Sequence, residues 1–206
     1  MRFIGDIHGA YAPYVKIISE VQDSVQIGDF GYGFGYKGKS EYIDDFLSKV
    51  PGRHRAIRGN HDSLSEISRS SHWIPDGTIE NGVMYIGGAT SIDKAYRTEG
   101  EDWWADEEVD PKLMESFIDK YNSERPHTMV THEVPEFLVP FLSIGSPFGN
   151  VQEYSNTRRT FDKMYLYSYH TPKTWIFGHW HMKVDFQHEN TRFICLPING
   201  YIDLEV

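Results

Sequence analysis

Residues 174–181 read Thr-Trp-Ile-Phe-Gly-His-Trp-His, an apolar run that ends at a glycine and is followed by two histidines. A short run of aromatic and branched side chains closed by glycine is typical of a buried strand. In an extended segment His179 and His181 would point to the same side, because strand side chains alternate with period two. A lone histidine is more often an ordinary surface or core residue, but two on one side can share a metal ion. This stretch therefore predicts a strand with part of a metal site at its carboxyl end.

The same pattern recurs along the chain and predicts the fold class. Other short apolar runs, each predicted to be a strand, occupy residues 2–4, 24–27, 55–58, 83–86 and 128–130. Helical spacing of apolar side chains predicts helices over residues 12–21, 40–50, 110–121 and 157–169. Residues 192–206 read as two further strands in succession. Alternation of strands and helices predicts an α/β protein.

The composition limits the class of protein. The chain has 206 residues, of which 39% are hydrophobic and 24% charged, so we expect one globular domain over residues 1–206. The net charge of -10 disfavours strong nucleic-acid binding, although a local cluster of cations could still hold an anionic substrate. The single cysteine, Cys195, reads as a buried strand thiol. No apolar stretch reaches the about 18 residues of a membrane span, and we expect a soluble, cytoplasmic protein with no membrane partner.

Polar side chains follow the predicted strands, where ligands collect in open α/β sheets. Each of these loops has an ordinary explanation by itself, but their shared position does not. Seven side chains after five of the strands offer oxygen or nitrogen atoms: Asp6, His8, Asp29, Asn60, His132, His179 and His181. Seven ligands exceed the four of a closed zinc site and suit two ions that share one carboxylate. Binuclear hydrolytic centres have this layout, with ions roughly 3.5–4 Å apart.

Five motifs in this order resemble the calcineurin-like metallophosphoesterases, in particular bacterial or phage-type members. The motifs are Gly5-Asp6-Ile7-His8, Gly28-Asp29, Gly59-Asn60-His61-Asp62, His132 and Gly178-His179-Trp180-His181. The resemblance spans residues 5–181 and implies a four-layer α/β/β/α sandwich with two mixed β-sheets and a metal site at the carboxyl ends of the strands.

The resemblance also implies residue roles. Asp6, His8 and His181 would bind the first ion. Asn60, His132 and His179 would bind the second ion, with Asp29 bridging the two. His61 would face the substrate as a general acid or a phosphate-stabilising donor, and Asp62 would orient it.

The implied activity is metal-dependent hydrolysis of a phosphoric ester by direct attack of a hydroxide that bridges two divalent ions. The resemblance favours Mn²⁺, while Fe, Zn, Ni or Co also suit mixed imidazole and carboxylate ligands. The protein Ser/Thr phosphatase branch carries Gly-Asp-x-Val-Asp-Arg-Gly, whereas this chain has Gly28-Asp29-Phe30-Gly31 and lacks that arginine. We therefore expect a small phosphodiester or phosphomonoester as substrate, with cyclic nucleotides or nucleotide-like compounds as the leading class.

Other readings stay open. Arg97 could make a bidentate contact to phosphate, or it could be a surface arginine paired with an acid. Trp103 and Trp104 could stack a base, although packing is the commoner role of such residues. A Ser/Thr phosphatase-like enzyme and a nuclease are the alternative activities, and a non-catalytic scaffold of the same fold is the alternative class. The oligomeric state is open.

Overall fold

The computed structural model describes residues 1–146 and 153–206. Its first sheet consists of β1 (Arg2–Ile4), β2 (Asp23–Ile27), β3 (Arg53–Ile57) and β10 (Tyr201–Asp203). These strands lie in the order β10-β1-β2-β3. The first three are parallel to one another, and β10 runs antiparallel to β1.

The second sheet is larger and also mixed. It consists of β4 (Thr78–Glu80), β5 (Val83–Ile86), β6 (Thr128–Thr131), β7 (Thr174–Phe177), β8 (Val184–His188) and β9 (Thr191–Cys195). Its strand order is β4-β5-β6-β7-β9-β8. The four central strands are parallel, and the two edge strands, β4 and β8, are antiparallel to their neighbours.

The helices connect the strands. They are α1 (Tyr11–Ile18), α2 (Ser40–Ser48), α3 (Leu64–Ile67), α4 (Pro111–Glu124), α5 (Val139–Gly145) and α6 (Asn156–Leu166). Helix α4 begins at a proline, and the Asp110 side chain accepts a hydrogen bond from the amide of Lys112. Among residues 1–146 and 153–206, no helix is both long and apolar enough to cross a membrane.

Three apolar clusters show how the layers pack. One lies between the sheets, where Phe3 of β1 and Tyr85 of β5 are buried together. Neighbouring side chains on the same strands point the other way: Ile4 packs with helices α1 and α2, and Met84 packs with helices α4 and α6. Strands with both faces buried between helix layers give a four-layer α/β/β/α sandwich, so the predicted fold class is confirmed.

Most predicted elements are present, and the omissions are short or lie at an edge. The four predicted helices correspond to α1, α2, α4 and α6, the last of which ends at Leu166 rather than at residue 169. Sequence reasoning missed β4 and α3 because three or four residues give too little periodicity. It also missed β8, whose polar, half-exposed residues mark an edge strand. Cys195 is buried in β9 with a free thiol, as predicted.

Candidate metal centre

The loops that follow the parallel strands of both sheets meet at one end of the sandwich. Asp6, Asp29 and Asn60 come after β1, β2 and β3 of the first sheet. His132 and His179 come after β6 and β7 of the second sheet. The predicted ligands thus lie in one place because the carboxyl ends of the parallel strands in both sheets share an end.

Four of the predicted ligands form what we call the outer group: Asp6, His8, Asp29 and His181. Their ligand atoms all lie within 4.8 Å of one another. Nε2 of His181 is 3.0 Å from Oδ2 of Asp6 and 3.1 Å from Nε2 of His8. The Asp6 carboxylate is buried, but the side chains of His8 and His181 are 31% and 24% exposed. The outer group is therefore open to solvent on its imidazole side.

The inner group consists of Asp29, Asn60, His132 and His179. The ligand atoms of its carboxylate and two histidines lie within 4.8 Å of one another. Oδ1 of Asn60 is 3.1 Å from Nε2 of His132, so the amide oxygen faces the same space. The His132 side chain is fully buried, and that of His179 is 13% exposed. Asp29 belongs to both groups.

The donor set and the space around it fit two divalent cations. Carboxylate and amide oxygens together with imidazole nitrogens suit ions such as Mn²⁺, Fe²⁺ or Zn²⁺. Two glycines keep that space clear, because a Cβ at Gly59 would collide with the Asp29 carboxylate and one at Gly178 with the Asp6 carboxylate. Carboxylates this buried and this close to imidazoles require positive charge.

The backbone near the site is strained at several ligands. His8, Asp29, His179 and His181 have φ angles of 44°, 57°, 63° and 53°, in the left-handed region that residues other than glycine rarely adopt. The prediction that residues 178–181 are extended is therefore wrong, since β7 ends at Phe177. The turn sends His179 into the inner group and His181 into the outer group, instead of both to one side of a strand. Such conformations persist where surrounding structure fixes them, commonly at functional sites.

The charges of the inner group are strongly coupled. Burial alone would raise the pKa of Asp29, but the imidazoles of His132 and His61 outweigh it and hold that pKa well below its ordinary value. Burial would lower the pKa of His132, whereas the Asp29 carboxylate raises it, to about 10 overall. Nδ1 of His132 donates to the Ile27 carbonyl at 2.9 Å, so Nε2 is the nitrogen that faces the group. A bound cation would take the place of the proton on that nitrogen.

Comparison with known proteins places the chain in a family. It matches the calcineurin-like phosphoesterases over residues 2–183. The chain belongs to this family. The predicted resemblance is thereby confirmed. No curated protein matches its sequence.

Two solved structures share the fold of this chain. One is a Staphylococcus aureus protein assigned as a 5′-nucleotidase and crystallised with α-ketoglutarate, with 10% identity, a TM-score of 0.56 and coverage of 97% of this chain and 48% of that chain. The other is the phosphopantetheinyl hydrolase of Mycobacterium tuberculosis, with 13% identity, a TM-score of 0.52 and coverage of 96% and 89%. The chain spans about half the length of the first protein. At these identities the likeness shows the fold alone.

His61 lies beside the outer group. Its backbone amide donates to Oδ1 of Asp29 at 2.9 Å, and its ring lies 5.7 Å from the ring of His8. Nδ1 of His61 is 3.4 Å from the Asp102 carbonyl. His61 also lines a cavity of 240 Å³ that opens onto both groups. This placement leaves the ring available to a molecule in the cavity.

Asp62 is placed differently from the expectation that it orients His61. Its buried carboxylate accepts hydrogen bonds from four backbone amides: those of Phe30, Gly31, Tyr32 and Gly59. Within the described chain, all hydrogen bonds of this carboxylate go to backbone amides and none to the His61 ring. Asp62 thus ties the loop after β2 to the loop after β3, which makes it a positioning residue for Asp29 and Asn60.

Arg97 lines the cavity of 240 Å³ but is already paired. Its guanidinium contacts Asp93 at 2.6 Å and Asp102 at 3.4 Å. Of the two tryptophans, Trp104 packs edge-on against Phe34, with ring centroids 5.7 Å apart. Trp103 lines a separate cavity of 670 Å³. The structure therefore brings Arg97 to the cavity at the metal groups, whereas neither tryptophan is among the described residues that line this cavity.

Sequence reasoning missed a contact chain that supports Asn60. Nδ2 of Asn60 donates to Oγ of Ser91 at 2.9 Å, and that hydroxyl donates to the carboxylate of Glu107. Burial raises the pKa of Glu107, which is 4% exposed. The guanidinium of Arg58 holds the surrounding loop by donating to the carbonyls of Asp106, Glu107 and Glu108. Glu107 lies in an irregular acidic stretch, which gave no periodic signal to single it out.

Proposed function

We propose that this protein is a phosphoesterase that holds two divalent cations, one in each group, and uses them to hydrolyse a small phosphate ester. The observation that supports this most is the sharing of Asp29 between two sets of ligand atoms, each within 4.8 Å. Two such cations supply a water nucleophile of lowered pKa and offset the negative charge of phosphoryl oxygens. Mn²⁺ is the ion that we propose, and Fe, Zn, Ni and Co suit the same donors.

The remaining chemistry falls to residues around the cavity. With Nδ1 of His61 turned toward the Asp102 carbonyl, Nε2 is the atom left to face a substrate. As an imidazolium, His61 can donate the proton on Nε2 to the leaving oxygen or to a phosphoryl oxygen. Asp62 contributes indirectly, because its four amide hydrogen bonds fix the loops that present Asp29 and Asn60.

The size and charge of the site favour a small substrate. A cavity of 240 Å³ accommodates a phosphate group and part of a compact leaving group. Arg97 lines this cavity and can bind a phosphate through its guanidinium. The phosphate would compete with the Asp93 carboxylate for the Arg97 guanidinium. We propose a phosphodiester or phosphomonoester of the cyclic-nucleotide or nucleotide-like class. The net charge of -10 disfavours a nucleic-acid substrate.

Parallel assays of a chromogenic phosphodiester and its phosphomonoester in Mn²⁺ test the proposal. We expect turnover of at least one ester, lost in the Asn60→Ala and His61→Ala variants. The His188→Ala variant, changed on edge strand β8, is the matched control and should retain full activity. If metal-replete protein cleaves neither ester, the small-substrate proposal is wrong, and turnover of a phosphopeptide or of single-stranded DNA would identify the alternative enzyme class. No turnover of any of them would favour the scaffold.

A further inference from the structure

Glu133 is a buried carboxylate that the proposed reaction does not use. It follows the ligand His132 directly and is fully buried. Its Oε1 accepts hydrogen bonds from Nε1 of Trp180 at 2.8 Å and from the amide of Val134 at 2.9 Å. Its Oε2 has no hydrogen-bond partner within the described part of the chain. A buried carboxylate oxygen without a partner is costly, so its retention needs a reason.

The second oxygen is directed at a metal ligand. Oε2 of Glu133 lies 3.6 Å from Nε2 of His179. Trp180, which binds the other oxygen, is the next residue after His179, so both ends of the carboxylate contact the same turn. Since Nε2 of His179 faces Glu133, Nδ1 is the nitrogen left to bind a cation in the inner group.

A compensating cation elsewhere in the core does not explain this geometry. Arg158 is buried and stabilises the Glu133 carboxylate through space. Its Nε, however, lies 2.9 Å from a carboxylate oxygen of Glu136. Arg158 therefore offsets part of the charge of Glu133 without occupying the oxygen that faces His179.

We propose that Glu133 positions His179 for the inner cation by accepting a hydrogen bond from its Nε2–H group. This rests on the proposed function, in which the inner group holds an ion. A histidine that binds a cation through Nδ1 must carry its proton on Nε2, and a carboxylate there fixes the ring and raises its basicity. The distance of 3.6 Å shortens to a hydrogen bond through a small rotation of the ring.

The Glu133→Gln variant tests this in the full-length protein, with Mn²⁺ as the probe. The amide oxygen can still accept from Trp180, but the amide group facing His179 is a donor and cannot take its proton. We expect one of the two Mn²⁺ dissociation constants to rise about 10–100-fold while the other is unchanged. We also expect the melting temperature of the metal-free variant to equal or exceed that of wild type, because a buried charge that Arg158 offsets only in part is removed. Calorimetric titration and thermal unfolding measure the two quantities.

The Glu136→Gln variant is the matched control, since this residue lies three positions away and contacts Arg158 instead of a ligand. It should leave both Mn²⁺ affinities unchanged. Unchanged affinities in the Glu133→Gln variant, or a lower metal-free melting temperature as its only effect, would overturn the inference. If wild type itself binds fewer than two ions, the proposed function fails first. If wild type binds two ions and hydrolyses the ester while the variant behaves identically, only the inference about Glu133 fails.

A measurement on wild type covers the case in which the variant does not fold. In the Zn²⁺-loaded protein, nitrogen-15 NMR of the imidazoles reports which nitrogen of each ring carries the proton. We expect His179 to be protonated on Nε2, with a strongly deshielded proton typical of a hydrogen bond to a carboxylate. Protonation on Nδ1 would contradict the proposal.

Discussion

The inner and outer groups both contain carboxylate and imidazole side chains, but the two groups differ in burial. In the outer group, His8 and His181 are partly exposed and lie against each other and Asp6. In the inner group, His132 is fully buried and Asn60 nearly so. Apart from the shared Asp29, each inner side chain is also backed by a further contact: the Ile27 carbonyl behind His132, Ser91 behind Asn60 and Glu133 behind His179.

This difference predicts that the two proposed ions bind with unequal affinity. Ligands whose orientation is fixed beforehand lose little freedom on binding, and low surrounding polarity strengthens their attraction to a cation. The outer histidines, His8 and His181, are partly exposed to solvent. We therefore expect the inner position to bind more tightly and the outer position to exchange more readily with solvent. Asp29 is the exception, because both groups share it.

The largest effect should come from the shared ligand. The Asp29→Asn variant removes a negative charge from both positions, so we expect kcat/KM to fall about 10³-fold or more. Metal analysis should show that both ions bind more weakly. The Asp23→Asn variant makes the same change at the exposed start of β2 and should retain activity. If Asp29→Asn weakened only one of two ions, Asp29 would belong to a single position.

Graded removal of metal should separate the two groups. With increasing chelator, we expect wild type to lose its ions in two steps, the second at about 10–100-fold higher chelator concentration. In the His181→Ala variant the first step should disappear, because the outer position is already impaired. Atomic absorption spectroscopy of the dialysed protein measures the metal that remains bound in wild type and in the His181→Ala variant. Loss of the two ions in one step would show that burial does not distinguish the groups.

The sequence was sufficient to predict which polar side chains come together, because each follows a strand. Short apolar runs closed by glycine predicted the parallel strands. The order of the motifs supplied the assignment of residues to two groups, and the structure brings the members of each group together. The sequence did not predict the conformation of residues 178–181. Alternation assumes extended backbone, whereas His179 and His181 adopt positive φ under constraints from the Asp6 loop, whose carboxylate accepts from the His179 amide at 3.2 Å.

The sequence also did not predict the contacts that support the site residues, for different physical reasons. Glu107 reaches Ser91 across 16 positions, and no local pattern links an irregular acidic loop to a buried hydroxyl. Asp62 sits in a motif where an orienting role was expected, yet its neighbours in space are the amides of the loop after β2. Glu133 did offer a signal, since it is a charged residue between His132 and Val134 at the end of a buried strand.

The smallest effect tests how far support of the inner group extends. The Glu107 carboxylate acts on Asn60 through Ser91, one contact further from the proposed ion than Glu133. In the Glu107→Gln variant the amide can still accept from Ser91, so the chain weakens without breaking, and we expect kcat/KM to fall only about 3–10-fold. The Glu101→Gln variant, exposed on the same loop, should match wild type.

The size of the Glu107 effect decides between two accounts of the inner group. If Ser91 orients the Asn60 amide for the ion, Ser91→Ala should lower Mn²⁺ affinity at least as much as Glu107→Gln, because it removes the acceptor that Nδ2 needs. If Glu107 only anchors its loop, Glu107→Gln should lower thermal stability and leave Mn²⁺ affinity unchanged, since Arg58 holds the carbonyls of that loop independently. Parallel titrations of the two variants therefore show whether support of the inner group ends at its ligands or continues into the acidic loop.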